Sequence, residues 1–278
     1  VVGVRSDGLD LSDPYPLGNT TITYTATDEA GNESICNHVI TVKNNSAPGN
    51  VDFGLVLWLK ANEGVYLNDT PSTNGDNVSL WDDYVQNHDA VQTTSGNRPF
   101  FRSDEENLIN FNPIVYFNGT DRYLVSDLST SGLETENTIF FVAKPQGDGA
   151  VIGLGQNSYV GFENNAIIYS INNGASVTQT ASGSYNSSEI HIVSILKEGN
   201  TAGDISIYLN GMAESNDLNE SAFIAESANT RIGAGSPSNT DEFLNANISE
   251  VIIYNRVLTL EERIRVESYL AVKYGITM

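Results

Sequence analysis

Short β-rich runs recur along most of this chain, and a stretch with helical periodicity comes only at its end. That combination confines it to an antiparallel all-β architecture with one helical appendage. The runs fall at Leu55 to Leu59, Ile114 to Phe117, Thr138 to Ala143, Val151 to Leu154, Tyr159 to Phe162, Ile167 to Ile171, Ile190 to Leu196, Ile205 to Leu209, Thr230 to Ile232 and Ile248 to Tyr254. Clusters of Gly, Asn and Ser separate them, and Tyr208-Leu-Asn-Gly211 ends on the Asn-Gly pair that favours a tight hairpin. The last run leads to Thr259 and Glu262, which have the spacing of a capping box, so a helix is expected from about Leu260 to Tyr274 with its stop near Gly275. Leu260, Ile264, Tyr269, Leu270 and Val272 make that helix too apolar to stand in water, so it should pack on the sheets. The expectation is a two-sheet sandwich.

Residues 1–44 read differently. Thr20-Thr-Ile-Thr-Tyr-Thr-Ala-Thr27 alternates, Asp28-Glu-Ala-Gly-Asn32 supplies turn chemistry, and Cys36 to Val42 alternates again, which is a β-hairpin with Ile22, Tyr24 and Ala26 on one face. Asn44-Asn-Ser-Ala-Pro-Gly-Asn50 has turn formers and no apolar period, so 45–50 reads as a linker and 51–278 as a second domain.

With 278 residues of which 40% are hydrophobic, both parts can bury cores. The formal net charge of -22 argues against nucleic acid and anionic membrane surfaces as partners, and favours solubility or cation binding. Cys36 is the single cysteine, and no stretch approaches the roughly 20 apolar residues of a membrane span. The chain starts at Val1 in mid-pattern, so it reads as a piece of a longer precursor.

The richest polar cluster is Trp81-Asp-Asp-Tyr-Val-Gln-Asn-His-Asp-Ala90. Its closely spaced oxygens at Asp82, Asp83, Asn87 and Asp89 suit calcium, which takes about 6–8 oxygen ligands. The same side chains also suit hydrogen bonding to their own loop backbone. Asn239-Thr-Asp-Glu242 is a second acidic turn, readable as a solvated loop or as a partner of the first. Trp58 lies in an apolar run and reads as core, whereas Trp81, Tyr84, Tyr123 and Tyr159 are the candidates for stacking on a sugar ring or contacting a protein ligand. Asp28, Glu29 and Asn32 are explained by turn chemistry. His191 sits in an alternating strand as a solvent-facing or satisfied residue, and Gly153-Leu-Gly155 and Gly233-Ala-Gly235 are too short for a dinucleotide site.

Two family resemblances add to this. Residues 248–277, with Ile248-Ser-Glu-Val-Ile-Ile-Tyr-Asn-Arg-Val-Leu258 followed by Glu261-Glu-Arg and Val266-Glu-Ser-Tyr-Leu-Ala-Val-Lys-Tyr-Gly-Ile276, resemble the end of laminin-G-like, concanavalin-A-like jelly rolls of secreted Bacteroidetes proteins. The Trp81 to Ala90 loop resembles a polar loop of the same family at Asp83, Asn87 and Asp89, but has Tyr84-Val-Gln where the family has a glycine-rich turn. Asp13-Pro-Tyr-Pro16, Gly18 and the run to Cys36 resemble the second half of a hyalin repeat, an immunoglobulin-like sandwich. That resemblance implies a disulfide partner for Cys36 near the start of such a domain; a buried free thiol is the alternative. Together the resemblances imply a secreted or cell-surface adhesion module that binds a glycan or a protein, alongside other domains of a large chain. A carbohydrate-active enzyme and a ligandless stalk stay open as alternatives. No catalytic residue is assigned, because the paired-carboxylate strand motif of jelly-roll glycosidases is absent.

Overall fold

A computed structural model describes residues 1–16, 18–42, 47–85, 88–155, 158–171, 176–180, 185–187, 189–199, 204–217, 229–235 and 242–278. The chain divides into two compact units, Val1–Ser46 and Ala47–Met278.

In the first unit the strands Val2–Arg5, Gly18–Thr27 and Glu33–Val42 form an antiparallel sheet in chain order. The turn between the last two is built by Asp28, whose carboxylate accepts from the backbone N–H groups of Ala30 and Asn32 and from the Asn32 side chain. Its oxygens are spent on the reversal. Arg5, 3% exposed, is paired with Asp7 and donates to the carbonyls of Asp10, Asp13 and Pro14, which holds the loop after the first strand. Ile22 is buried, but Tyr24 and Ala26 on its face are only partly so. Cys36 is a free thiol on an exposed position, not the buried one allowed for. It sits opposite Tyr24 in a sheet with no second layer over it among the described residues of the unit.

Among its described residues the second unit is a jelly-roll sandwich of two antiparallel sheets with one α-helix, α1 (Leu260–Tyr274). Among those residues the smaller sheet has eight strands, with Asn137–Pro145 and Asn245–Tyr254 at its centre, and the larger has eleven, centred on Gly149–Leu154, Asn229–Ile232 and Leu124–Ser129. Asn137–Pro145 is a near-continuous apolar run because both its faces are covered, whereas Leu124–Ser129 alternates. Ile139, Phe141 and Ala143 point between the sheets, whereas Phe140 and Val142 point the other way and meet Val266, Leu270 and Tyr274 of α1. Among the described residues no helix is long and apolar enough to cross a membrane.

The helix has the expected start. Thr259 accepts from the Glu262 N–H while the Glu262 carboxylate accepts from the Thr259 N–H, completing the capping box, and Gly275 ends the helix at φ 66°. Its buried face differs from the apolar residues singled out in the sequence. Leu270 is buried as expected, but Leu260, Ile264 and Val272 are 65%, 45% and 82% exposed, and Arg263, Val266, Glu267 and Tyr274 join Leu270 in facing the sheet. The reason is a polar anchor. Glu267 accepts from Arg263 and from Ser194 of the sheet, and Arg263 lies 3.8 Å over the Tyr208 ring.

The linker expected at 45–50 is shorter on its second side. Ala47 and Val51 are each 2% exposed, and the Val51 carbonyl accepts from the Tyr254 hydroxyl. Gly49 passes so close to α1 that a Cβ there would lie 2.5 Å from the Arg265 carbonyl oxygen. Residues 47–51 are therefore part of the layer under α1, and Asn44, Asn45 and Ser46 lie outside the described residues.

Glu262 also receives two hydrogen bonds from Arg256, the main cause of a carboxyl pKa lowered to about 2 from an ordinary 4.5. A depressed carboxylate contributes stability above its unfolded pKa and loses it as pH falls through the folded one. Glu262→Gln keeps the cap but not the charge. The variant should melt below the wild type at neutral pH, and the two melting temperatures should converge as pH falls from about 4.5 toward 2.

Candidate functional site

The Trp81 to Ala90 loop is a corner between the sheets. Trp81 pairs with Val65 and Ala90 in the larger sheet, whereas Asp83 bridges Leu59 and Tyr84 N–H donates to the Trp58 carbonyl in the smaller one. Asp83, 6% exposed, accepts from the backbone N–H groups of Trp58, Val85 and His88, at 2.8, 3.2 and 3.1 Å. Its own N–H donates to Asp89 at 2.8 Å. Asp83 is thus the staple of the corner, its oxygens serving backbone donors, which is the turn role the sequence left open beside that of a cation ligand. Asn87 lies outside the described residues. Asp82 and Asp89 remain, and burial with the neighbouring Asp89 raises the Asp82 carboxyl above its ordinary value.

Among the described loop side chains Asp82 and Asp89 are the carboxylates with oxygens to offer a cation, and calcium would need about 6–8 oxygens in all. A chelator tests this: a melting curve that it leaves unchanged speaks for turn hydrogen bonding, and a fall in melting temperature places a cation in the loop. A group whose folded pKa is raised favours the fold while protonated and loses that contribution as pH rises through the folded value. Asp82→Asn should accordingly raise the melting temperature slightly at neutral pH and lose that advantage in acid. Asp82 is exposed, so the gain should stay under about 1 kcal/mol.

The four aromatic candidates separate. Trp81 is fully buried between the sheets and is closed to any ligand, because its strand turns it inward with Val65 and Ala90. Tyr84 is 53% exposed on the helix side, edge-on to Trp58 at 5.2 Å, with Lys60 Nζ 3.4 Å over its ring. Tyr123 and Tyr159 share a different surface, the outer face of the larger sheet.

That face is set by register. Val91, Val125, Arg231, Gly153, Tyr159 and Ser170 are successive partners across six strands. Their chain neighbours Leu124, Ile232, Ile152, Val160 and Tyr169 fill the core between the sheets, so this row points outward. No helix covers it among the described residues. The two glycine pairs found in the sequence meet here. Gly233, at φ 86°, turns the chain where a Cβ would strike Phe117, and Gly153 has no Cβ to obstruct the Gly235 carbonyl that lies over it. Ala234 then bridges Phe243, which brings Glu242 and Phe243 onto the same surface.

Tyr123 and Phe243 lie with ring centroids 6.0 Å apart. Arg231 is only partly buried, yet its Nη1 is shut off from solvent without a hydrogen-bond partner among the described residues. Burial pushes the guanidinium pKa down from its ordinary value, with Tyr123 opposing the shift. On the far side of Gly153, Tyr159 donates to Glu163 at 3.3 Å. Burial, then the charges of Glu242 and Glu163, raise its phenol well above the ordinary range. The surface therefore has a cationic, aromatic end and an aromatic, acidic end. Sequence reasoning found the two tyrosines and, in the second acidic turn, Glu242, whose companions 239–241 lie outside the described residues; it missed Arg231 and Phe243, for which the available signal was a lone basic residue on the outward position of an alternating strand.

His191 and His88 are placed otherwise. His191 is 3% exposed with Nε2 2.9 Å from the Asn186 carbonyl oxygen, a satisfied structural residue. His88 Nδ1 is 2.8 Å from Asp127 Oδ1, but the adjacent Ser126 hydroxyl donates to the His88 carbonyl and accepts from Leu128 N–H.

Residues 128–262 match the concanavalin A-like lectin/glucanases superfamily, and residues 4–42 match the HYR domain. The chain is therefore similar to a hyalin repeat over its first segment and, over part of its second unit, to the laminin-G-like, concanavalin A-like superfamily. Among solved structures, Trypanosoma rangeli sialidase in complex with sialic acid matches at TM-score 0.54 and 14% identity, over 94% of this chain and 44% of the sialidase. The same enzyme with 2,3-difluorosialic acid matches at TM-score 0.53 and 17% identity, over 81% and 34%. This chain thus spans less than half of those enzymes, and the likeness is one of fold. A search of curated protein sequences finds no match.

Proposed function

We propose that this chain is a non-catalytic binding module of a secreted or cell-surface protein, and that the outer face of its larger sheet takes an extracellular saccharide. The carrying observation is the gathering of Tyr123, Phe243, Arg231 and Tyr159 on the sheet face without a helix, while α1 occupies the outer face of the other sheet. Aromatic rings offer apolar faces to a pyranose, and the charged groups between them fix its orientation through hydroxyl hydrogen bonds. The non-catalytic reading draws on the commitment of Ser126 to backbone partners beside the His88–Asp127 pair. Extracellular placement draws on the pairing of a hyalin-repeat segment with a laminin-G-like domain.

An enzyme remains the second reading, because Glu163 and Glu242 both bear on Tyr159 and two carboxylates are what a glycosidase pairs. A glycan array followed by product analysis separates the readings. Binding that Tyr159→Ala and Tyr123→Ala each weaken, without release of reducing ends, supports the module. Turnover lost in Glu242→Gln supports the enzyme, and neither binding nor turnover leaves a spacer or a protein-binding surface.

A further inference from the structure

We infer that a second saccharide contact lies on the smaller sheet, beyond the part under α1, where Arg102 takes the carboxylate or sulfate ester of an acidic sugar seated beside Phe100 and Tyr116.

Register brings the three together. Phe101, Val115 and Phe117 fill the core between the sheets, so their chain neighbours Phe100, Arg102 and Tyr116 point outward. Phe100 is the cross-strand partner of Tyr116, and Arg102 that of Ile114, which belongs to the apolar cluster under α1. The two rings are 6.4 Å apart and 21° from parallel, and the Arg102 guanidinium is 5.3 Å from the Phe100 centroid. The group is compact enough for one sugar residue.

These side chains are within reach of a ligand. All three are half-buried, and Arg102 has no hydrogen bond or ion pair among the described residues, with none of its nitrogens shut off from solvent. The Tyr116 hydroxyl is likewise open to water and without a partner among them. Arg122, the other guanidinium at Phe100, is already held by Asp121, by Asn77 and by the Arg98 carbonyl. Carboxylates on the adjoining loops are committed too: Asp76 to Thr73, Asp104 to Asn107 and Asp121 to Asn118. Arg102 is therefore the group with donors to offer.

A planar guanidinium meets a carboxylate or sulfate with two parallel hydrogen bonds, and the rings beside it offer apolar area that suits a sugar better than an acidic peptide. The net charge of -22 repels a polyanion at long range, but a single contact made at hydrogen-bond distance survives that field. The ligand accordingly carries its anionic groups sparsely.

A glycan array of neutral, uronate-bearing and sulfate-bearing oligosaccharides, followed by calorimetric titration of the full chain, tests this. The best acidic member should bind at least about tenfold more tightly than the same sugar esterified or desulfated, a comparison that needs no variant and tells carboxylate from sulfate. Arg102→Gln should reduce the acid to the affinity of its neutral form, with Arg102→Lys in between. Arg265→Gln, which removes the same charge from α1, should leave the preference intact. An array without a bound acidic member overturns the inference, as do equal binding of acid and neutral form, a preference that survives Arg102→Gln, and one that Arg265→Gln removes as fully. Oligoglutamate bound through Arg102 more tightly than the acidic sugar overturns the sugar. Binding lost in Tyr123→Ala or Tyr159→Ala but not in Arg102→Gln overturns this contact and leaves the face on the larger sheet; the reverse pattern overturns that face and leaves this contact.

Discussion

Glu250→Ala should cost the second unit about 3–5 kcal/mol, the penalty for removing one partner from a buried, hydrogen-bonded charge cluster. Glu250 lies in the central strand Asn245–Tyr254 and is 1% exposed beneath α1. Its carboxylate accepts from Trp58 Nε1 at 2.5 Å, Tyr269 OH at 3.0 Å, Lys273 Nζ at 2.7 Å and Tyr274 OH at 2.7 Å. Four donors from two elements converge on one side chain. Alanine would leave the indole and the Tyr274 hydroxyl without this acceptor and the lysine without its counter-charge. Glu250→Gln should cost less, because the amide oxygen still accepts, though its NH2 faces donors. Urea denaturation of the three proteins measures both effects; a loss under about 1 kcal/mol for alanine would mean that water replaces the carboxylate.

Truncation before Thr259 should be more severe, leaving the second unit insoluble or unfolded. Removing α1 uncovers Trp58, Phe140, Val142, Ile192, Ile252 and Tyr254 at once, a continuous apolar face on the central sheet. Leu270→Ala, at a fully buried position, should cost about 2–5 kcal/mol. Val272→Ala, at a position 82% exposed, should stay within about 0.5 kcal/mol. Equal effects of the two substitutions would contradict the seating of the helix.

These two elements also mark what local sequence carries. The capping box at Thr259 and Glu262 and the stop at Gly275 were legible because each is chemistry within one turn. The buried face of α1 was not. Arg263 and Glu267 are inward because Ser194 and Tyr208 on distant strands receive them, and nothing in the helix sequence announces those partners. Long strands such as Asn137–Pro145 were visible as apolar runs, whereas Val65–Leu67, Leu80–Trp81 and Ala90–Val91 are too short to display a period. That brevity is why Trp81, inward in such a strand, reads from sequence as one candidate for stacking. The corner loop was recognised as a polar cluster, but oxygen spacing alone does not tell a cation ligand from Asp83, whose donors include the N–H of Trp58, 25 residues away. The candidate face was half legible: tyrosines show as aromatic letters, while Arg231 gains its meaning only from the register that sets it between Val125 and Gly153.

Hydroxyl-radical footprinting of the chain with and without a saturating array-selected saccharide tests the central claim most directly. Protection should concentrate at Tyr123, Tyr159, Arg231 and Phe243, with Tyr84, Tyr269 and Val272 on the helix side unchanged. Protection confined to Tyr84 and the exposed face of α1, with the larger sheet unaffected, would contradict it.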